Sequence, residues 1–109
     1  MSSQPVTVTH DPEKHRFVVQ QDGETAELTY RSGTVGQIVF THTGVPTALE
    51  GRGIGSALAK AGLDYARTNN LEVVPLCSFV RSYIERKPEY QDLVHKPADS
   101  AAGNSGGFA

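Results

Sequence analysis

The sequence predicts a single small α/β (α+β) domain, with antiparallel strands leading into one β-α-β unit and a second helix near the C-terminus. Three observations predict it. Short segments of strand-like residues, separated by turn signals, occupy the first part of the chain. An apolar repeat with helical spacing then runs through residues 53–69. A short apolar strand follows at 71–75, and a helical crossover is what brings such a strand parallel to the one before the helix.

Residues 7–9 add a short edge strand, with Asp11-Pro12 as the turn after it. Residues 16–20 read as the next strand, and Asp22-Gly23 is a strong hairpin signal. Ala26, Leu28 and Tyr30 then alternate with Thr25, Glu27 and Thr29. That period of two marks a half-buried antiparallel strand. Ser32-Gly33 turns the chain again. Residues 35–41 are more apolar, as a central strand should be. A loop containing Pro46 covers residues 42–50.

In the main helix, residues 53–69, Ile54, Leu58, Ala61 and Tyr65 share one face. Gly62 costs about 1 kcal/mol against Ala in a helix interior, which predicts a closely packed neighbour. Asn69-Asn70 suits a C-terminal cap. The second helix is expected over 79–86, with Phe79, Tyr83 and Ile84 on one face and Lys87-Pro88 as the stop. Residues 89–94 add a helical turn. Residues 1–5 are expected to be flexible and 96–109 to be a disordered tail, which leaves 6–95 as the domain.

The 109 residues suffice for one domain. No run of 18 apolar residues occurs, and the N-terminus lacks the apolar region of a signal peptide, so no membrane partner is expected. A net charge of −2 argues against nucleic acid, whose binding rests on a basic face. The lone Cys77 has no intramolecular disulfide partner, and a cytoplasmic location is the simplest expectation. No metal is expected. Edge strands can pair between copies, so a monomer or weak dimer is anticipated.

The most informative stretch is Gly51-Arg52-Gly53-Ile54-Gly55-Ser56, placed between a strand and a helix. Glycine lets the backbone approach a ligand closely and take positive φ. The first N–H groups of a helix have no internal partner, and its dipole favours an anion there. A phosphate or pyrophosphate is the expected guest. A nucleoside triphosphate loop requires Gly-Lys-Ser/Thr, and no lysine precedes Ser56. A dinucleotide fingerprint requires G-x-G-x-x-G; here the third glycine comes one residue early, and the remaining chain is too short for a doubly wound sheet.

Gly-Arg-Gly-Ile-Gly followed by Ser-Ala-Leu resembles the coenzyme A pyrophosphate loop of the GNAT acetyltransferase superfamily. Gly53 and Gly55 occupy the two glycine positions of the motif Gln/Arg-x-x-Gly-x-Gly/Ala. Glu50 stands at its first position, a departure that sets a carboxylate beside the phosphates. Arg52 offers the positive charge within the loop instead. Thr41-His42-Thr43, Val74-Pro75-Leu76-Cys77 and Lys87-Pro88-Glu89-Tyr90 match segments of a minimal, roughly 100-residue group within that superfamily. Asp22-Gly23 leaves no room for the early helices of larger members. The resemblance covers about residues 6–95.

The resemblance implies a splayed central sheet and acetyl-coenzyme A as co-substrate, with an amine, a peptide or a protein lysine as acceptor. It implies that Glu50, Gly51, Arg52, Gly53, Ile54, Gly55 and Ser56 surround the pyrophosphate. It also implies that the pantetheine arm follows the strand edge through Thr41 and Thr43, and that the thioester points toward Cys77. His42 is the candidate base, because imidazole titrates near neutral pH. Cys77 is an acyl-accepting nucleophile, a proton donor or a wall of the thioester pocket. Tyr83 matches the position of a tyrosine acid for the leaving thiolate, and by periodicity alone is a core aromatic. The alternative to an N-acyltransferase is a coenzyme A or acyl-coenzyme A binding module without catalysis. His10, His15 and His95 fall outside the motif and are expected to be solvated.

Overall fold

A computed structural model describes residues 6–96. The flexibility expected of 1–5 and of 97–109 lies outside the described residues. One five-stranded sheet runs in the order β1-β2-β3-β4-β5. Its strands are β1 (Thr9–Asp11), β2 (Arg16–Gln21), β3 (Glu24–Ser32), β4 (Gln37–Gly44) and β5 (Glu72–Pro75). The first four pair antiparallel, and β5 joins β4 in parallel. The crossover is the helix α1 (Ile54–Thr68), and α2 (Ser78–Arg86) follows β5. Short 3-10 turns occupy Pro12–Lys14, Thr47–Leu49 and Pro88–Leu93.

Both helices lie on one face of the sheet. Leu28 and Phe40 of that face meet Leu58 and Leu63 of α1 and Val80 of α2, all fully buried. Each such side chain contributes about 1.5–3 kcal/mol relative to exposure. Gly62 is buried among them because a Cβ there would stand 2.8 Å from the Phe40 ring and 3.1 Å from Leu28. The expected close neighbour is therefore Phe40.

Several boundaries differ from expectation. The edge strand lies at Thr9–Asp11, where Asp11 sits opposite Arg16 and ion-pairs with it at 3.4 Å. Strand β4 begins at Gln37, because Gly36 has φ +85° and leaves Val35 fully exposed. It also continues to Gly44, since the nine-residue β3 supplies partners that far. His42 thus belongs to a strand rather than a loop. After the last 3-10 turn the chain returns along β5, where Val94 bridges Val73 and the His95 N–H donates to the Val73 carbonyl.

Two of the histidines expected to be solvated have side-chain partners at hydrogen-bonding distance. The His10 ring stacks on Phe17 at 4.4 Å and lies 2.5 Å from the Tyr30 hydroxyl. Burial there lowers its pKa, against the raising influence of Asp11. His95 Nδ1 lies 2.9 Å from the Glu72 carboxylate.

Candidate coenzyme pocket and active site

The register of β3 against β4 shifts at Thr29/Tyr30. Tyr30 faces Phe40, but Thr29 faces His42, so Thr41 is an extra residue. Such a bulge re-aims every side chain after it. Without it, His42 would share the helix-covered face with Phe40. With it, Thr43 lies opposite the core residue Leu28, and His42 turns to the face that carries no helix. Thr41 is spent on β3: its hydroxyl lies 2.9 Å from that of Thr29 and donates to the Thr29 carbonyl at 3.2 Å.

On its other edge, β4 pairs with β5 only from Gln37 to Phe40. Pro75 lacks an N–H and ends the ladder. One further bond, from the Cys77 N–H to the Phe40 carbonyl at 3.0 Å, closes this zone. Strand β4 runs on to Gly44 while the chain of β5 turns into α2. The two parallel strands therefore part after Phe40.

A pocket of about 470 Å³ opens there. Its outer end is formed by Glu50, Gly51, Gly53, Gly55 and Ser56, its walls by Val45, Leu49, Ile54 and Phe79, and its inner end by Thr43. Gly51 and Gly53 have φ of +84° and +75°, which a side chain would strain. The first intrahelical bond of α1 runs from the Ala57 N–H to the Gly53 carbonyl. The preceding amides of the first turn are the free donors of a helix N-terminus. Gly55 has a different role: a Cβ would stand 2.8 Å from the Phe79 ring, so the glycine lets α2 approach α1.

The structure brings some expected residues together and separates others. Cys77 is buried behind the inner end, its Sγ 3.2 Å from the Thr43 hydroxyl. His42 is exposed on the opposite face from this pair. Tyr83 is buried one helical turn beyond Phe79, outside the pocket, its ring near Tyr90, Arg86 and Lys87. Arg52 turns away from the pocket. Its guanidinium donates to Asp22 at 2.8 Å, Gln21 at 3.1 Å and the Ala48 carbonyl at 3.3 Å. Glu50 is the charged side chain among the described lining residues.

The pocket fits the chemistry of a coenzyme A arm. Backbone donors at the glycine turn suit a pyrophosphate, and the apolar walls suit a pantetheine chain. The sequence places Phe79 only on one face of the second helix with Tyr83 and Ile84; its position after Leu76-Cys77-Ser78, at the first turn of α2, is the signal that sets it beside the loop. Among the described residues no group of three or more His, Cys, Asp or Glu side chains could hold a metal ion. No helix among them is long and apolar enough to cross a membrane.

Residues 16–93 match the family model for the GCN5-related N-acetyl-transferase. The chain is 34% identical over 93 residues to Protein NATD1 of Gallus gallus, covering 84% of each. Against Protein NATD1 of Homo sapiens it is 34% identical over 91 residues, covering 82% of this chain and 80% of that one. A solution structure of a GCN5-like protein from Staphylococcus aureus superposes with a TM-score of 0.67 at 31% identity, over 89% of this chain and 95% of that one.

Proposed function

The chain belongs to the GCN5-related N-acetyltransferase family, and on that premise we propose that it transfers an acetyl group from acetyl-coenzyme A to an amine, with a peptide or protein lysine as acceptor. The observation that carries this reading is the pocket framed by the end of β4, the glycine turn and the first turn of α2, beyond the point where β4 and β5 part. It runs from the glycine turn at Gly51–Gly53 to the Thr43–Cys77 pair.

The residues present divide the work. Backbone amides at Gly53 to Ser56 hold the pyrophosphate, and Val45, Leu49, Ile54 and Phe79 exclude water from the arm. Bound acetyl-coenzyme A supplies the activated acyl group. An attacking amine must be neutral, and the carbonyl oxygen needs a hydrogen-bond donor as charge builds on it. His42 stands on the open face of the sheet, next to the point where β4 and β5 part. From there it takes the amine's proton if the acceptor arrives on that face. Cys77 sits behind Thr43 and acts as a proton donor or wall. Tyr83, set among Tyr90, Arg86 and Lys87, serves α2 packing in this reading. A cytoplasmic location is consistent with the single, free Cys77.

A second reading is favoured by one observation. His42 and Tyr83 both lie off the pocket, which suits a coenzyme A or acyl-coenzyme A binding module without turnover. Transfer of label from acetyl-coenzyme A to a panel of amines and lysine peptides separates the two. Labelled product supports the transferase; tight binding with no product on any acceptor leaves the binding module.

A further inference from the structure

We infer that the Thr43 hydroxyl, aligned by the Cys77 thiol, donates a hydrogen bond to the acyl carbonyl oxygen, so that this site distinguishes acetyl-coenzyme A from free coenzyme A. The inference rests on the proposed function and adds a residue role to it. Three observations carry it. First, the bulge at Thr41 places Thr43 on the helix-covered face, opposite Leu28, where it ends the pocket that starts at the glycine turn. Second, Thr43 is the polar side chain at that inner end, between the apolar walls of Val45, Leu49 and Phe79. Third, its hydroxyl lies 3.2 Å from the Sγ of buried Cys77.

The direction of that contact follows from the groups. A hydroxyl has one proton to give and two lone pairs, whereas a thiol is a weak donor and a weak acceptor. If Thr43 gave its proton to sulfur, its only donor would go to a poor acceptor. With the thiol donating to Thr43 Oγ1, the hydroxyl keeps its own proton for a better acceptor in the pocket. A thioester carbonyl oxygen is such an acceptor, and free coenzyme A has no counterpart to it. Cys77 is then a positioning residue and Thr43 the one that touches the acyl group. Thr43 is half-buried, and a hydroxyl proton matched by a carbonyl oxygen there favours the acylated form over one that offers it no acceptor.

The test measures affinities for acetyl-coenzyme A and for coenzyme A by calorimetry, and the infrared carbonyl stretch of carbonyl-13C acetyl-coenzyme A on the protein. Wild type is expected to prefer the acetylated form by about fivefold, the size of one net hydrogen bond, and to lower the carbonyl frequency. The near-isosteric Thr43→Val should abolish both the preference and the carbonyl shift. Thr43→Ser should restore both. Cys77→Ala should broaden or weaken the carbonyl shift, and Cys77→Ser should bring it back, which a thiol that only fills space would not produce. An unshifted carbonyl in wild type, or a preference and shift that survive Thr43→Val, overturns the inference but leaves the proposed function intact. Failure of wild type to bind either form overturns the proposed function, and this inference with it.

Discussion

The Arg52 guanidinium donates to the Asp22 carboxylate at 2.8 Å, tying the glycine loop to the tip of the β2–β3 hairpin. Asp22 and Gly23 both have positive φ, so a tight turn presents that carboxylate. The pair is about half exposed, and such pairs add at most about 1 kcal/mol to stability. Its effect falls on the loop. Arg52→Ala and Asp22→Ala should each weaken coenzyme A binding by about twofold to fivefold, and the double variant should be no worse than either, as for two residues acting as one unit. Calorimetric titration of the three variants checks this. A loss confined to Arg52→Ala would mean that the guanidinium contacts the phosphates itself.

Glu50 lines the glycine-turn end of the pocket, where the proposed function places the pyrophosphate. Glu50→Gln removes that charge and installs the residue usual at this motif position. Affinity for coenzyme A should rise by about twofold to fivefold at low salt, and the gain should shrink as salt screens the charge. Unchanged affinity at low salt would show that the Glu50 carboxylate points away.

Gly62→Ala reverses the normal helix rule. Alanine would ordinarily add about 1 kcal/mol in a helix interior. Here its Cβ meets Phe40 at 2.8 Å and Leu28 at 3.1 Å, in fully buried surroundings. Overpacking of this kind costs about 1–3 kcal/mol. The melting temperature should fall by roughly 4 °C or more for a domain of this size. A rise on thermal unfolding would contradict the packing account.

The Tyr90 hydroxyl donates to Asp64 at 2.6 Å, and Lys60 donates to the same carboxylate at 2.8 Å. Burial pushes the Asp64 pKa up, but the hydrogen bonds from Lys60 and Tyr90 outweigh it and hold the carboxyl below its ordinary value of 3.8. Burial first, and then the Asp64 carboxylate, push the Tyr90 hydroxyl well above 10.0. A lowered acid contributes stability above its ordinary value and loses it as pH falls. A raised phenol contributes below its ordinary value and loses it as pH rises. The tie between α1 and the last 3-10 turn is thus intact from about pH 4 to pH 10. Tyr90→Phe should cost about 1 kcal/mol at pH 7 and flatten the alkaline loss of stability. Denaturant unfolding at pH 7 and above pH 10 measures both.

Much of this fold was legible. The alternation of Ala26, Leu28 and Tyr30 marked β3, the Ile54–Leu58 spacing marked α1, and Asp22-Gly23 marked the hairpin. The three loop glycines marked a turn that lines the pocket. The bulge at Thr41 left no such mark, because threonine is an ordinary strand residue and the extra residue exists only relative to β3. That one residue decides that Thr43 meets Cys77 and that His42 faces the other way. The partner of Arg52 was equally hidden, 30 positions away along the chain and set by the hairpin tip. Pro75 was visible, and its missing N–H is what lets β4 and β5 part.

The most direct test of the central claim is calorimetric titration of coenzyme A into the wild-type chain and into Gly53→Val. Gly53 has φ +75° and open space around it, so valine strains the turn without filling the core. The account predicts micromolar binding to wild type and at least a tenfold loss in the variant, about 1.4 kcal/mol, with the variant still folded by circular dichroism. Equal affinity for both proteins, or no binding to wild type, would mean that the glycine loop only turns the chain.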